Sequence, residues 1–129
     1  MSYTFSTTLA LPIDAAEEKV RDALTQGGFG VLTEIDVADT FKEKLDIDGF
    51  RPYRILGACN PKMAYKAIDA EPDIGAMLPC NVILQEEDGQ TAVHAVDPVA
   101  SMQAVENGAL EAVAADVREL LQDVIARLE

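Results

Sequence analysis

The stretch LGACNPKMAYKAIDAEPDIGAMLPCN, residues 56–81, decides how the fold is read. It begins as the end of an apolar strand, Arg51 to Ala58, with Pro52 near its start marking an edge strand or a strand beginning. Asn60-Pro61 then opens a helix, because asparagine is a favoured cap and proline a favoured first helical residue. The helix runs through Met63, Ala64, Ala67 and Ile68 to about Ala70. Pro72, Gly75 and Pro79 break up the loop that follows, and Asn81 to Gln85 reads as the next strand. Both cysteines of the chain lie in this stretch, and each precedes an asparagine: Cys59-Asn60 and Cys80-Asn81. A helix that leaves one strand end and returns through a short loop can bring both thiols to one end of a sheet, an arrangement the sequence permits and does not require.

The same patterns extend in both directions. Tyr3 to Leu11 alternates as a strand, and Pro12 ends it. Asp14 is placed to cap a helix from Ala15 to about Gln26, with Ala16, Val20, Ala23 and Leu24 as its buried face and a Glu17–Arg21 pair on its surface. Gly27-Gly28 stops that helix. Val31 to Val37 reads as a second strand, and Ala38 to Ile47 as a short helix presenting Phe41 and Leu45 on one face. Glu86-Glu87-Asp88-Gly89, between Asn81–Gln85 and Thr91–Val96, is a hairpin signature. Asp97-Pro98 begins a helical final third, interrupted at Asn107-Gly108. Leu110, Val113, Val117, Leu120, Leu121, Val124 and Leu128 then recur at helical spacing, as a stripe that packs on the sheet or supplies a dimer seam. The expected fold is α+β: one two-layer domain over residues 1–129, with a mainly antiparallel sheet of about five strands, helices on one face and a long C-terminal helix.

Composition narrows the function. The net charge is −13, so phosphate backbones and anionic membrane surfaces repel the chain, and neither nucleic acid nor membrane is an expected partner. The first residues lack a basic region and a continuous apolar run, and no stretch reaches the ~20 apolar residues of a membrane span. The chain is read as cytoplasmic, with both cysteines as free thiols. Six of the ten basic residues, Lys42, Lys44, Arg51, Arg54, Lys62 and Lys66, lie between positions 42 and 66. They form either a solvated face or a local positive site for a small anion.

The two cysteines differ in setting. Cys59 lies beside a helix start, near Lys62, Lys66 and Arg54, all of which favour a thiolate. Cys80 shares the period-two alternation of Val82 and Leu84, so it faces inward and is the less reactive thiol. Both also fit the behaviour of small buried hydrophobes. Zinc needs about four ligands, and the chain supplies two cysteines and His94 without ligand spacing. No nucleophile elbow, P-loop or dinucleotide fingerprint is present, and no cofactor or reaction is indicated.

GFGVLTEIDVADTFKEKL, PYRILGACNP, EPDIGAMLPCNVIL and VDP, spread from Gly28 to Pro98, resemble the prokaryotic family known as domain of unknown function 302. The resemblance implies a compact α+β domain, similar in outline to the TATA-binding-protein-like folds, and a homodimer. It implies no established activity and no catalytic role for any residue. The residues themselves point to a binding protein for a small anionic or sulfur-containing ligand near the Cys59-Asn60-Pro61 helix start. Cys59, Asn60, Lys62, Cys80 and Asn81 are its candidate contacts. The alternatives are a thiol-redox or thiol-transfer enzyme using Cys59 and Cys80, soft-metal binding by the cysteine pair, and Cys-Asn pairs that serve architecture alone.

Overall fold

The computed structural model describes residues 2–129. The elements follow in order as β1 (Thr4–Leu9), α1 (Ile13–Gln26), β2 (Gly30–Asp36), α2 (Val37–Leu45), β3 (Tyr53–Cys59) and α3 (Pro61–Ala70). A 3-10 turn (Pro72–Met77), β4 (Cys80–Glu87), β5 (Gln90–Val96), α4 (Pro98–Ser101) and α5 (Gly108–Leu128) complete the chain. The five strands form one antiparallel sheet in the order β1-β5-β4-β3-β2. The fold is the expected α+β domain.

Local chemistry places most of the boundaries. The β4–β5 hairpin closes on Asp88 and Gly89, with φ of 54° and 75°, the two positive values that a tight two-residue turn demands. Asn60, Asp97 and Asn107 each accept a backbone N–H at the start of a helix. Asn107-Gly108 therefore starts α5. Asp14 is not a cap: Pro12 holds that position, with no side-chain cap bond. Asp14 instead lies in the first turn and pairs with Arg54 at 2.7 Å. Arg54 also reaches Glu17 at 2.9 Å, and Glu17 makes the expected 2.9 Å pair with Arg21. Against the effect of burial, hydrogen bonds with Glu34, Arg21 and Arg54 hold the Glu17 carboxyl below its ordinary range. The bond to Glu17, then burial, push Glu34 up.

The core fills the space between the sheet and two helices. Leu56, Val82, Leu84, Val93 and Ala95 face inward from the strands. Ala16, Val20, Ala23 and Leu24 of α1 and Val117, Leu121, Val124 and Leu128 of α5 cover them. Each such Leu or Val contributes about 1.5–3 kcal/mol by leaving water. The α5 stripe is therefore core, with Ala114 and Ile125 buried in it and Val113 and Leu120 at its margins. The strand order decides two points at the β2 side. β3 is interior to the sheet, so Pro52 marks a strand start and not an edge; its carbonyl accepts Glu86 N–H at 3.0 Å. The helix carrying Phe41 and Leu45 buries no residue: Phe41 meets Phe50 edge-on at 5.0 Å, and Leu45 is 63% exposed.

The outer face of the sheet is built from aligned rungs. Ile35, Ile55, Ile83, His94 and Ser6 sit side by side across all five strands. One flanking rung is Thr33, Gly57, Asn81, Val96 and Thr4; the other is Tyr53, Gln85, Ala92 and Thr8. None of these positions is charged.

Gly57 has no room for a side chain. A Cβ there would run into Thr33 Oγ1 and lie 2.7 Å from Pro79 Cγ. Gly57→Ala is expected to lower the unfolding free energy by about 1–3 kcal/mol, as read by urea denaturation. Adding Thr33→Ala should return part of that loss by vacating the oxygen. An unchanged urea midpoint in Gly57→Ala would contradict this packing.

Candidate functional site

The site grows from the turn between β3 and α3. Cys59 ends β3 opposite Gly30, and its neighbour Ala58 pairs directly with Cys80, the first residue of β4. The chain leaves the sheet at Asn60, whose Oδ1 accepts the Met63 N–H at 3.2 Å with Pro61 in the first helical position. It returns through the 3-10 turn and Leu78-Pro79. This connection, which the sequence permits without requiring it, brings the two cysteines to one end of the sheet.

Beneath α3 lies a cavity of about 190 Å³. Ala58, Cys59 and Cys80 line it from the sheet. Met63, Ala64, Ala67 and Ile68 line it from α3, and Val113, Ala114 and Val117 from α5. Alanine at positions 58, 64, 67 and 114 is the reason that the space stays open: none of these side chains reaches across it. Leu32 and Ile68, 67% and 44% exposed, stand where the cavity meets solvent. No Asp, Glu, Lys, Arg or His contributes to the lining. Sulfur is concentrated there, since Cys59, Cys80, Met63 and Met102 all take part.

The five candidate residues separate into two groups. Cys59, Asn60 and Cys80 share the cavity wall. Lys62 is exposed on α3 and absent from the lining, and Asn81 is exposed on the other face of the sheet, in a shallow groove with Met77 and Ser101. Arg54 is also removed from the thiols. It lies five residues down β3 from Cys59, about 16 Å along a strand, and is committed to Asp14 and Glu17. Met63, Met102 and the alanines were missed by sequence reasoning. The spacing of Met63 and Ala67, four apart on one helical face, was the available signal.

The thiols are free and unequal. Cys80 is 8% exposed. Burial, and then the charge of a Cys59 thiolate, push its pKa from 9.0 up to about 11, so it holds its proton at neutral pH. Cys59 is half-buried. Among the described residues, no group of three or more His, Cys, Asp and Glu side chains is placed to hold a metal ion. His94 lies on the outer face, its Nδ1 3.5 Å from Thr4 Oγ1. No described helix is long and apolar enough to cross a membrane.

Comparison with known proteins agrees with this architecture. A search of curated proteins finds no match. A crystal structure of an uncharacterized conserved protein DUF302 from Bacillus stearothermophilus is similar over 100% of both chains, with 26% identity and a TM-score of 0.91. The family model described as Domain of unknown function DUF302 matches residues 5–128, and the chain belongs to that family.

Proposed function

We propose that this protein binds a small molecule whose apolar body fills the cavity beside the Cys59-Asn60-Pro61 turn. The observation that carries this reading is an open cavity of about 190 Å³ with no ionic side chain in its lining. An apolar protein cavity of about 150 Å³ stays dry and takes up benzene. A charge inside such a lining would lose its hydration without gaining a partner. The anionic ligand expected from the sequence is therefore compatible only with a charge held outside the cavity. A benzene-sized neutral probe, benzyl alcohol, is expected to perturb the NMR signals of Ala64, Ala67 and Ala114. At a hundredfold excess over its Kd it should stabilise the fold by about 2.7 kcal/mol. Ala64→Leu should keep the fold and abolish both effects. A wild-type protein that shows neither effect would remove the reading.

The thiol pair supports a second reading, thiol–disulfide transfer. The Cys59 thiolate would attack a disulfide substrate and release one half as a thiolate. Cys80 would then give up its proton and displace the other half as a second thiolate, leaving a Cys59–Cys80 disulfide. The protonated, buried state of Cys80 underlies this order of events and has a thermodynamic signature. An unfolded thiol loses its proton near 9.0 and the folded one near 11. Its contribution to stability is therefore complete below pH 9 and declines as pH rises to 11, by about 2–3 kcal/mol. Urea unfolding across that range should show the decline in the wild type and a flatter profile in Cys80→Ala; identical profiles would show that burial does not hold the proton. Met63 and Met102 add thioethers to the same wall, a donor set suited to a soft monovalent ion. Retention of one silver ion per reduced chain would favour that use of the pair over transfer.

We also propose that two copies associate through the outer sheet face. In a chain of net charge −13, the Ile35–Ile55–Ile83 rung carries no charged side chain, and the one cation against its Tyr53–Gln85 neighbours, Arg51, is balanced by Glu87 at 3.7 Å. Such a face can meet its own symmetric copy without repulsion. Light scattering should give twice the chain mass for the wild type and the chain mass for Ile83→Lys. A monomeric wild type at high micromolar concentration would exclude this assembly.

A further inference from the structure

We infer that the cysteine pair reduces an uncharged disulfide carried on an apolar body, with that body in the cavity and one of its sulfurs at Cys59. The inference rests on the thiol–disulfide transfer reading proposed above and names the class of its substrate.

The pair is placed to close. Pro52 O accepts the Glu86 N–H, so every second residue of β3 from there, Ala58 included, exchanges hydrogen bonds with β4. Ala58 and its partner Cys80 therefore have Cα atoms ~5.5 Å apart. Cys59 lies one strand rise of ~3.3 Å further along, which puts its Cα about 6 Å from that of Cys80. A disulfide spans Cα separations of about 4.4–6.8 Å. Both side chains line the same cavity, and Cys80 feels the charge of a Cys59 thiolate.

The surroundings of the pair then select the substrate. Exchange passes through a mixed disulfide, so the groups that flank the substrate's S–S bond must sit against the wall that holds Cys59. Phe29, Met63, Leu78 and Val117 belong to that wall, and no ionic side chain does. A carboxylate or ammonium group beside the S–S bond would lose its hydration there without gaining a partner. Leu32 and Ile68, exposed at the mouth, continue the apolar surface to the point of entry.

The steps balance. The Cys59 thiolate attacks one substrate sulfur, the S–S bond breaks, and its electron pair leaves on the other sulfur. That new thiolate, held in the cavity beside Cys80, takes the Cys80 proton. The Cys80 sulfur then attacks Cys59 and releases the second half of the substrate as a thiolate. The substrate gains two electrons, and the protein loses them as the Cys59–Cys80 disulfide forms.

Dithiodipropionate and its dimethyl ester test this, because the dianion and the ester share a backbone and differ in charge. Each is added to the full reduced chain in about 1 M salt, which screens the repulsion of the chain's surface charge. The mass loss of two hydrogens gives the rate, divided by the rate of the same reagent with 2-mercaptoethanol. The ester is expected to react at least about tenfold faster than the dianion. Ala64→Leu fills the cavity and should slow the ester about tenfold, while leaving unchanged the rate with hydroxyethyl disulfide, which has no apolar body. Equal normalised rates for ester and dianion, or an ester rate untouched by Ala64→Leu, would overturn the inference and leave the transfer reading in place. If no reagent yields the Cys59–Cys80 disulfide, both fall.

Discussion

The pairing of Ala58 with Cys80 is the constraint on which the rest of the site depends. It makes β3 and β4 neighbours, so the whole segment between them must leave and return at one end of the sheet. A helix can fit into that detour only if its first turn is satisfied at once, and Asn60-Pro61 does this within two residues. The sheet interior is already covered by α1 and α5. Helix α3 therefore packs at the side, against α5, and meets it through small residues. Ala64 and Ala67 on α3, Ala114 on α5 and Ala58 on β3 do not fill the gap between the layers. The cavity follows from a connection that topology requires and from side chains too short to close it.

How much of this was legible in the sequence depends on the range of the interaction concerned. Signals that act over a few residues were readable. The Asn60 cap, the positive-φ pair Asp88-Gly89 and the Val117, Leu121, Val124 stripe each state their structure locally. Features set by which elements become neighbours were not. The interior position of β3 and the exposure of α2 depend on strand order, which no single segment encodes. The cavity was hidden for a further reason: it is missing volume, shared among four alanines on three elements, and each alanine alone is unremarked. Asn81 is a different case. Period-two alternation had already turned Cys80 inward with Val82, and the same rule turns Asn81 outward. The likeness of the two Cys-Asn pairs obscured a consequence that the sequence contained.

The apolar lining then determines what each thiol can do. Cys80 is enclosed by apolar groups, and its proton stays because an isolated thiolate there has no hydration and faces Cys59. Cys59, half-buried at the end of the strand, has access to both cavity and solvent. Any covalent chemistry must therefore begin at Cys59, with Cys80 entering after something has drawn off its proton. Non-covalent binding makes no such demand on Cys80. The lining is already suited to an uncharged body, so the binding reading requires the less from the residues present.

The acidity of the chain gives the uncharged regions their meaning. Side chains of net charge −13 repel one another across most of the surface, and they do the same to approaching anions. Two places depart from this pattern: the outer rungs of the sheet, which carry no charged side chain of their own and are bordered by the Arg51–Glu87 pair, and the cavity under α3, whose lining holds no ionic side chain. The first departure suits a neutral, self-complementary contact, where acidic groups on both copies would hold them apart. The second suits a ligand with an apolar body. The sheet keeps the two apart, with the cavity on its helical side and the outer rungs on the other.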